Sequence, residues 1–140
     1  RFQPIAHLDQ IVVARRGHPL TKVKSAAALS AEEWLCNLRH DATAAALRAL
    51  GVPEPRRITE CESFSAMLAL LAASDMLGIA QRPFLDMPQV AQQIQEIPIA
   101  ERLPSLTVGL HTRADAPLTL PAAALARWLS EIARAQLRRA

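Results

Sequence analysis

Apolar positions along this chain follow two rhythms: short continuous runs and segments with a helical period. The clearest helical period lies in ESFSAMLALLAASDMLGIAQRP, residues 62–83. Phe64, Met67, Leu68 and Leu71 fall there at i, i+3, i+4 and i+7, one face of a helix, and Ser63 just ahead of them is a good N-cap. Asp75 then breaks the period, and MLGIA reads as a short interior strand ending near a proline. A second helix is predicted over HDATAAALRALG, which Asp41 can open and Gly51 can close. Strands are predicted at 9–15 and 34–38, with a glycine turn after the first and a short helical turn at 25–29 between them. RRITECE, IQEIPI and SLTVGLHTR supply three more strands. Residues 82–93 are ambiguous, because Pro83 and Pro88 argue against one long helix. At 117–138 a loop leads into a terminal helix, with Pro121 tolerated in its first turn. Strands alternating with helices at this spacing predict an α/β fold with a mixed, largely parallel sheet. No internal repeat or low-complexity linker marks a second independent domain.

Composition narrows the function classes. With 140 residues the chain is long enough for one domain with a real core. Three Phe, two Trp and no Tyr leave few stacking platforms for single-stranded nucleic acid. The formal charge of +3 weakly favours anionic partners, but Arg15-Arg16, Arg56-Arg57 and Arg138-Arg139 lie far apart, and no run resembles a DNA-reading basic region. Cys36 and Cys61 lie in apolar, strand-like stretches without a CxxC, which predicts reduced, buried thiols and a cytoplasmic protein. No run approaches the roughly 18 apolar residues of a membrane span. The chain begins at Arg1 without a methionine and reads as a fragment, so the lack of a signal peptide says little about targeting.

Catalytic signatures are missing. There is no P-loop, GxGxxG, HExxH or GxSxG, and four glycines leave little for a phosphate-cradling loop. Cys36 and His40 form C-x3-H, with Cys61 on a candidate neighbouring strand, but zinc needs a fourth ligand; core cysteines and a loop histidine are the plainer reading, and no metal or cofactor is expected. Glu60 and Glu62 flank Cys61 at strand parity, either as a carboxylate pair or as a strand edge meeting water. His18 in GHPL is expected to bond the local backbone ahead of Pro19. Binding chemistry is better represented. In open α/β sheets ligands collect where strand ends enter helices. Two crossings qualify: Leu38-Arg39-His40-Asp41 and Glu62-Ser63-Phe64-Ser65. Free N–H groups at such helix starts suit a carboxylate or other anion. Ser63 can donate to it and Phe64 can pack on an apolar ligand body; alternatively Ser63 only caps its helix and Phe64 is core.

Three segments in order resemble the effector-binding domain of LysR-type transcriptional regulators. IVVARRGHPL is similar to the family's strand followed by HPL. ECESFSAMLALLAASDMLGIAQRP resembles its polar pair, apolar helix and G-I-A strand, and LTVGLHTRADAPLTLPAAALARWL resembles its returning strand and terminal helix. The resemblance implies a periplasmic-binding-protein type II-like fold of two Rossmann-like lobes with the effector between them. Residues 17–105 would form the second lobe, and 1–16 with 106–140 the crossover strands and the return to an incomplete first lobe. The DNA-binding winged helix-turn-helix is missing, so DNA would be bound only through that N-terminal domain. Ser74-Asp75-Met76 departs from the family's small turn.

The implied effector contacts are Ser63 and Phe64, with Glu62, Ile79 in the G-I-A strand, and Arg39 and His40 by position only. The family's subunit packing carries over to the helix and strand bearing Thr43, Ala46, Leu47, Leu50 and Ile58, implying a homo-oligomer, a dimer or tetramer, with no membrane association. Peroxide-sensing relatives place a reactive cysteine where this chain has Asp41 to Thr43, so redox sensing is not favoured. The leading function is therefore an effector-sensing domain for a small organic anion, with an aromatic one as the named candidate, not an enzyme. The competing readings are a solute-binding lobe of a transport protein and an enzyme such as a dehydratase, for which only His40 and Glu62 offer polar groups.

Overall fold

The apolar run IVVA at 11–14 is the spine of a five-stranded sheet. The computed structural model describes residues 1–37, 40–52 and 55–137. These fall into two units, Asp9–Pro104 and Arg1–Leu8 with the chain from Ser105 onward. In the larger unit the run lies in strand β2 (Gln10–Arg15), where Ile11, Val12, Val13 and Ala14 are all buried. Strands β3 (Glu33–Cys36), β4 (Arg57–Glu60), β5 (Leu77–Gln81) and β6 (Ile94–Glu96) join it in the order β4-β3-β5-β2-β6. β3 pairs in parallel with β4 and β5, while β2 runs antiparallel to both β5 and β6. The expected mixed sheet is therefore present, though its four pairings divide equally between parallel and antiparallel.

Both faces of this sheet are covered, which is why its central strands β2, β3 and β5 read as mostly continuous apolar runs rather than as alternation. On one face Val12, Ala14, Trp34, Leu77 and Ile79 pack with Leu47 and Leu50 of helix α1 (His40–Leu50). On the other, Ile11, Val13, Leu35 and Ala80 pack with Met67 and Leu71 of helix α2 (Phe64–Ala73). Gly51 follows α1 at φ +92, a conformation that favours glycine at a helix end. Gly78 serves another purpose: a Cβ there would stand 3.0 Å from Leu71 Cδ1, so the missing side chain lets α2 sit close on β5. That is why a capped helix and a glycine-bearing strand stand so near each other in the sequence.

The ambiguous stretch resolves into a 3-10 turn, Arg82–Asp86, and a short helix α3, Pro88–Ala91, each accommodating its proline near the start. His18 is buried and braces the opposite end of the sheet: its Nδ1 accepts from the Leu20 N–H at 3.1 Å, so Nε2 carries the proton it donates to Asp75 O at 3.0 Å. The local bond was expected; the one to Asp75 was not.

The smaller unit pairs strand β1 (Phe2–Leu8) antiparallel with β7 (Leu106–His111), and helix α4 (Leu120–Leu137) packs against β1. Gly109 is sterically required, since a Cβ there would lie 2.3 Å from Gln3 O and 2.6 Å from the Phe2 ring. The boundary expected at residue 16 is corrected here. β2 is hydrogen-bonded between β5 and β6, so residues 9–16 belong with the larger unit rather than with the crossover segments. Among the described residues no helix is long and apolar enough to cross a membrane.

Candidate functional site at the carboxyl edge of the sheet

The parallel strands β3, β4, β5 and β6 all end at one edge of the larger unit's sheet, beside the start of antiparallel β2. Both expected crossings open there, but they differ chemically. At the start of α1 the Glu60 carboxylate, from the end of β4, accepts a hydrogen bond from the His40 backbone N–H. Asp41 adds a second carboxylate on the Ala42 N–H at 3.0 Å. The chain thus supplies its own anions to this helix start, and the dipole there is already compensated. An external anion at these backbone N–H groups would meet like charge. Arg39 lies outside the described residues. Glu60, capping α1, and Glu62, exposed ahead of α2, do not act as a carboxylate pair.

The start of α2 is different. Ser63 is its N-cap, with Oγ accepting from the Ala66 N–H at 3.3 Å, and no acidic residue occupies the first turn. The remaining first-turn N–H groups have no partner within the helix. Ser63 is exposed, while Phe64 is half-buried against the second core face and stacks on Phe84 with ring centroids 4.3 Å apart. Both plainer readings, capping and packing, therefore hold, and they leave an exposed hydroxyl beside an anchored aromatic ring. Ile79 does not join them. It is 5% exposed in the first core face, the side of the sheet opposite Phe64. Phe84 could not be found from sequence spacing, because the ambiguous segment hid its placement.

The expected subunit-contact residues face inward. Thr43, Leu47 and Leu50 are buried, and Ala46 and Ile58 pack against the same core. Thr43, Leu47 and Leu50 are therefore core side chains, Ala46 and Ile58 are half-buried beside them, and Ala42, Ala45, Arg48 and Ala49 form the outward side of α1.

Cys36 ends β3 and Cys61 directly follows β4, with the Cys61 N–H donating to Cys36 O at 2.7 Å, but their side chains lie on opposite faces and form no disulfide. Cys36 is buried as expected; Cys61 is only half-buried, because it follows the end of an edge strand. Among the described residues no group of three or more His, Cys, Asp or Glu side chains could hold a metal ion.

At the far end of the same edge, Arg82 and Glu96 form a two-bond fork at 2.8 and 2.7 Å, and the carboxylate raises the guanidinium above its ordinary pKa. Glu101 accepts from the Ala26 N–H at 3.0 Å and the Ser25 hydroxyl at 2.8 Å, which hold its pKa below the usual glutamate value.

This architecture is that of a known regulator class. Residues 1–134 match the LysR substrate binding domain, and the chain belongs to that family, the effector-binding domain of LysR-type regulators. It is 27% identical to the HTH-type transcriptional regulator GbpR of Azospirillum brasilense over 99% of this chain and 43% of that protein. The effector domain of the transcriptional regulator AmpR of Pseudomonas aeruginosa superposes with a TM-score of 0.75 at 19% identity, covering 99% of this chain and 66% of that one. The Synechocystis PCC6803 CcmR regulatory domain, solved in complex with 2-PG, gives a TM-score of 0.68 at 18% identity, covering 94% of this chain and 66% of that one. The chain thus spans less than half of the curated regulator and about two thirds of these solved domains.

Proposed function

We propose that this domain senses a small organic anion and that the start of α2 forms one wall of the effector site. The observation that carries this reading is the α2 N-terminus: no acidic residue in its first turn, an exposed Ser63 hydroxyl, and Phe64 held by Phe84 as an apolar platform. The contrast with α1, whose start is filled by Glu60, gives the edge one anion-ready helix start rather than two. Binding of a small molecule by the similar CcmR domain supports the class of ligand. In the longer protein, effector binding would shift the geometry of a homo-oligomer through differential affinity for its two states and so control DNA binding by a separate N-terminal domain in the cytoplasm. No step of this reading requires catalysis.

The test is a thermal-shift screen of the 140-residue chain against small aromatic and aliphatic carboxylates and phosphates. At about 100 times its Kd a true effector stabilises the domain by about 2.7 kcal/mol. Stabilisation by none of these anions, or stabilisation unchanged when Ser63 is replaced by Asp, contradicts the proposal.

A further inference from the structure

A second feature of the carboxyl edge lies away from the α2 start. The Ile97 N–H still donates to Val12 O at 2.9 Å, but the chain then turns off, with the Ala100 N–H donating to Lys24 O at 2.8 Å. Where β6 leaves, the start of β2 keeps β5 as its neighbour on one side only, Gln10 pairing with Gln81. The vacated side opens into a cavity of about 410 Å³, lined from Asp9 at one end of the larger unit's chain to Leu103 at the other.

The charges around this cavity are not alike. Arg82 is committed to the fork with Glu96, and Glu101 to Ser25 and Ala26. Arg102 also lines the cavity and has no hydrogen-bond or ion-pair partner among the described residues. The Asp9 carboxylate faces Arg82 only at a distance, through its field. One cation and one carboxylate thus remain uncommitted in the lining, which also includes the half-buried Ile99. A simple anion gains Arg102 but meets the fields of Asp9, Glu96 and Glu101; a simple cation gains Asp9 but leaves Arg102 without a partner. A ligand carrying both charges satisfies both.

We propose that this cavity is a second small-molecule site, for a zwitterion with a short aliphatic body such as a free α-amino acid. Its carboxylate pairs with Arg102, its ammonium with Asp9, and its body lies on Ile99. The site is independent of the effector reading above. Its lining differs from that site: neither Ser63 nor Phe64 borders the cavity, and neither Asp9 nor Arg102 belongs to the α2 start.

Calorimetric titration of the 140-residue chain with L-leucine, leucinamide and 4-methylpentanoate tests the proposal. The first ligand carries both charges, the second lacks the carboxylate and the third lacks the ammonium. L-leucine is expected to bind, with each control weaker by about tenfold or more. Arg102→Ala and Asp9→Asn, both at exposed positions, should each lose a similar factor, while Ser63→Asp leaves L-leucine binding unchanged. Absence of saturable binding by L-leucine up to about 10 mM overturns the proposal. So do controls that bind as tightly as leucine, or an affinity that survives Arg102→Ala. Loss of leucine binding in Ser63→Asp would place the ligand at the α2 start and overturn the second site, while leaving the effector reading intact.

Discussion

Ser63→Asp separates the two roles that Ser63 can play. As an N-cap, Asp ranks with Ser, so the bond now made to the Ala66 N–H is kept. The first turn of α2 holds no other acidic residue, and a carboxylate there meets the positive end of the helix dipole, worth about 0.3–1 kcal/mol. The variant should therefore be as stable as the parent or slightly more so. For an anion bound at the same N–H groups the effect reverses. Two like charges about 4 Å apart repel by about 1 kcal/mol in water and about 4 kcal/mol near a protein surface. Ser63 is exposed, so the lower part of that range applies, about 1–2 kcal/mol. Loss of the hydroxyl as a donor adds about 1 kcal/mol. The sum, about 2–3 kcal/mol, weakens binding by about 30- to 140-fold. Isothermal titration with an anion found by the screen, alongside urea denaturation, reads both quantities. An affinity within about twofold of the parent, at unchanged stability, would show that Ser63 is only a cap.

Three further outcomes follow from the packing and the electrostatics. Leu47→Ala should cost about 2–5 kcal/mol in denaturant unfolding, because Leu47 is fully buried within the larger unit; a small loss of stability accompanied by a change in oligomeric state would restore it to an interface. Gly109→Ala should destabilise the smaller unit by about 1–3 kcal/mol, and Phe2→Ala should not rescue it, because the closer obstacle is the Gln3 carbonyl; full rescue would mean that the ring alone excludes a side chain. Glu101 has a folded pKa below its unfolded one, so its stabilisation is present above the ordinary glutamate value and is lost as pH falls through the lower folded value. Melting temperatures of the parent and Glu101→Gln should differ at neutral pH and converge in acid, and a constant gap at every pH would refute the assignment.

Much of the order of elements was legible because the larger unit's central strands β2, β3 and β5 are buried on both faces and its helices carry one apolar face each. Continuous runs such as IVVA and the 64-67-68-71 period announce those environments directly. β1 was less legible: four of its seven positions, Phe2, Gln3, Pro4 and His7, are polar, proline or exposed, so no burial pattern marks it. Side-chain destinations were the harder part. α1 has alanine on several sides, and a small-residue helix looks the same in sequence whichever side meets the sheet. Leu47 and Leu50 point inward because they are the only bulky apolar groups on α1 able to fill the space over Trp34. The caps by Glu60 and Glu101 join residues 20 and 75 positions apart, respectively, and no local pattern encodes such a pairing.

The most direct test of the effector reading is an amide NMR titration of the isotopically labelled 140-residue chain with an anion that stabilises it. The account predicts the largest shifts at the backbone N–H groups of Ser63, Phe64 and Ser65, with His40 and Ala42 little affected because carboxylates already occupy them. Largest shifts at His40 and Ala42, with the start of α2 unmoved, would contradict it.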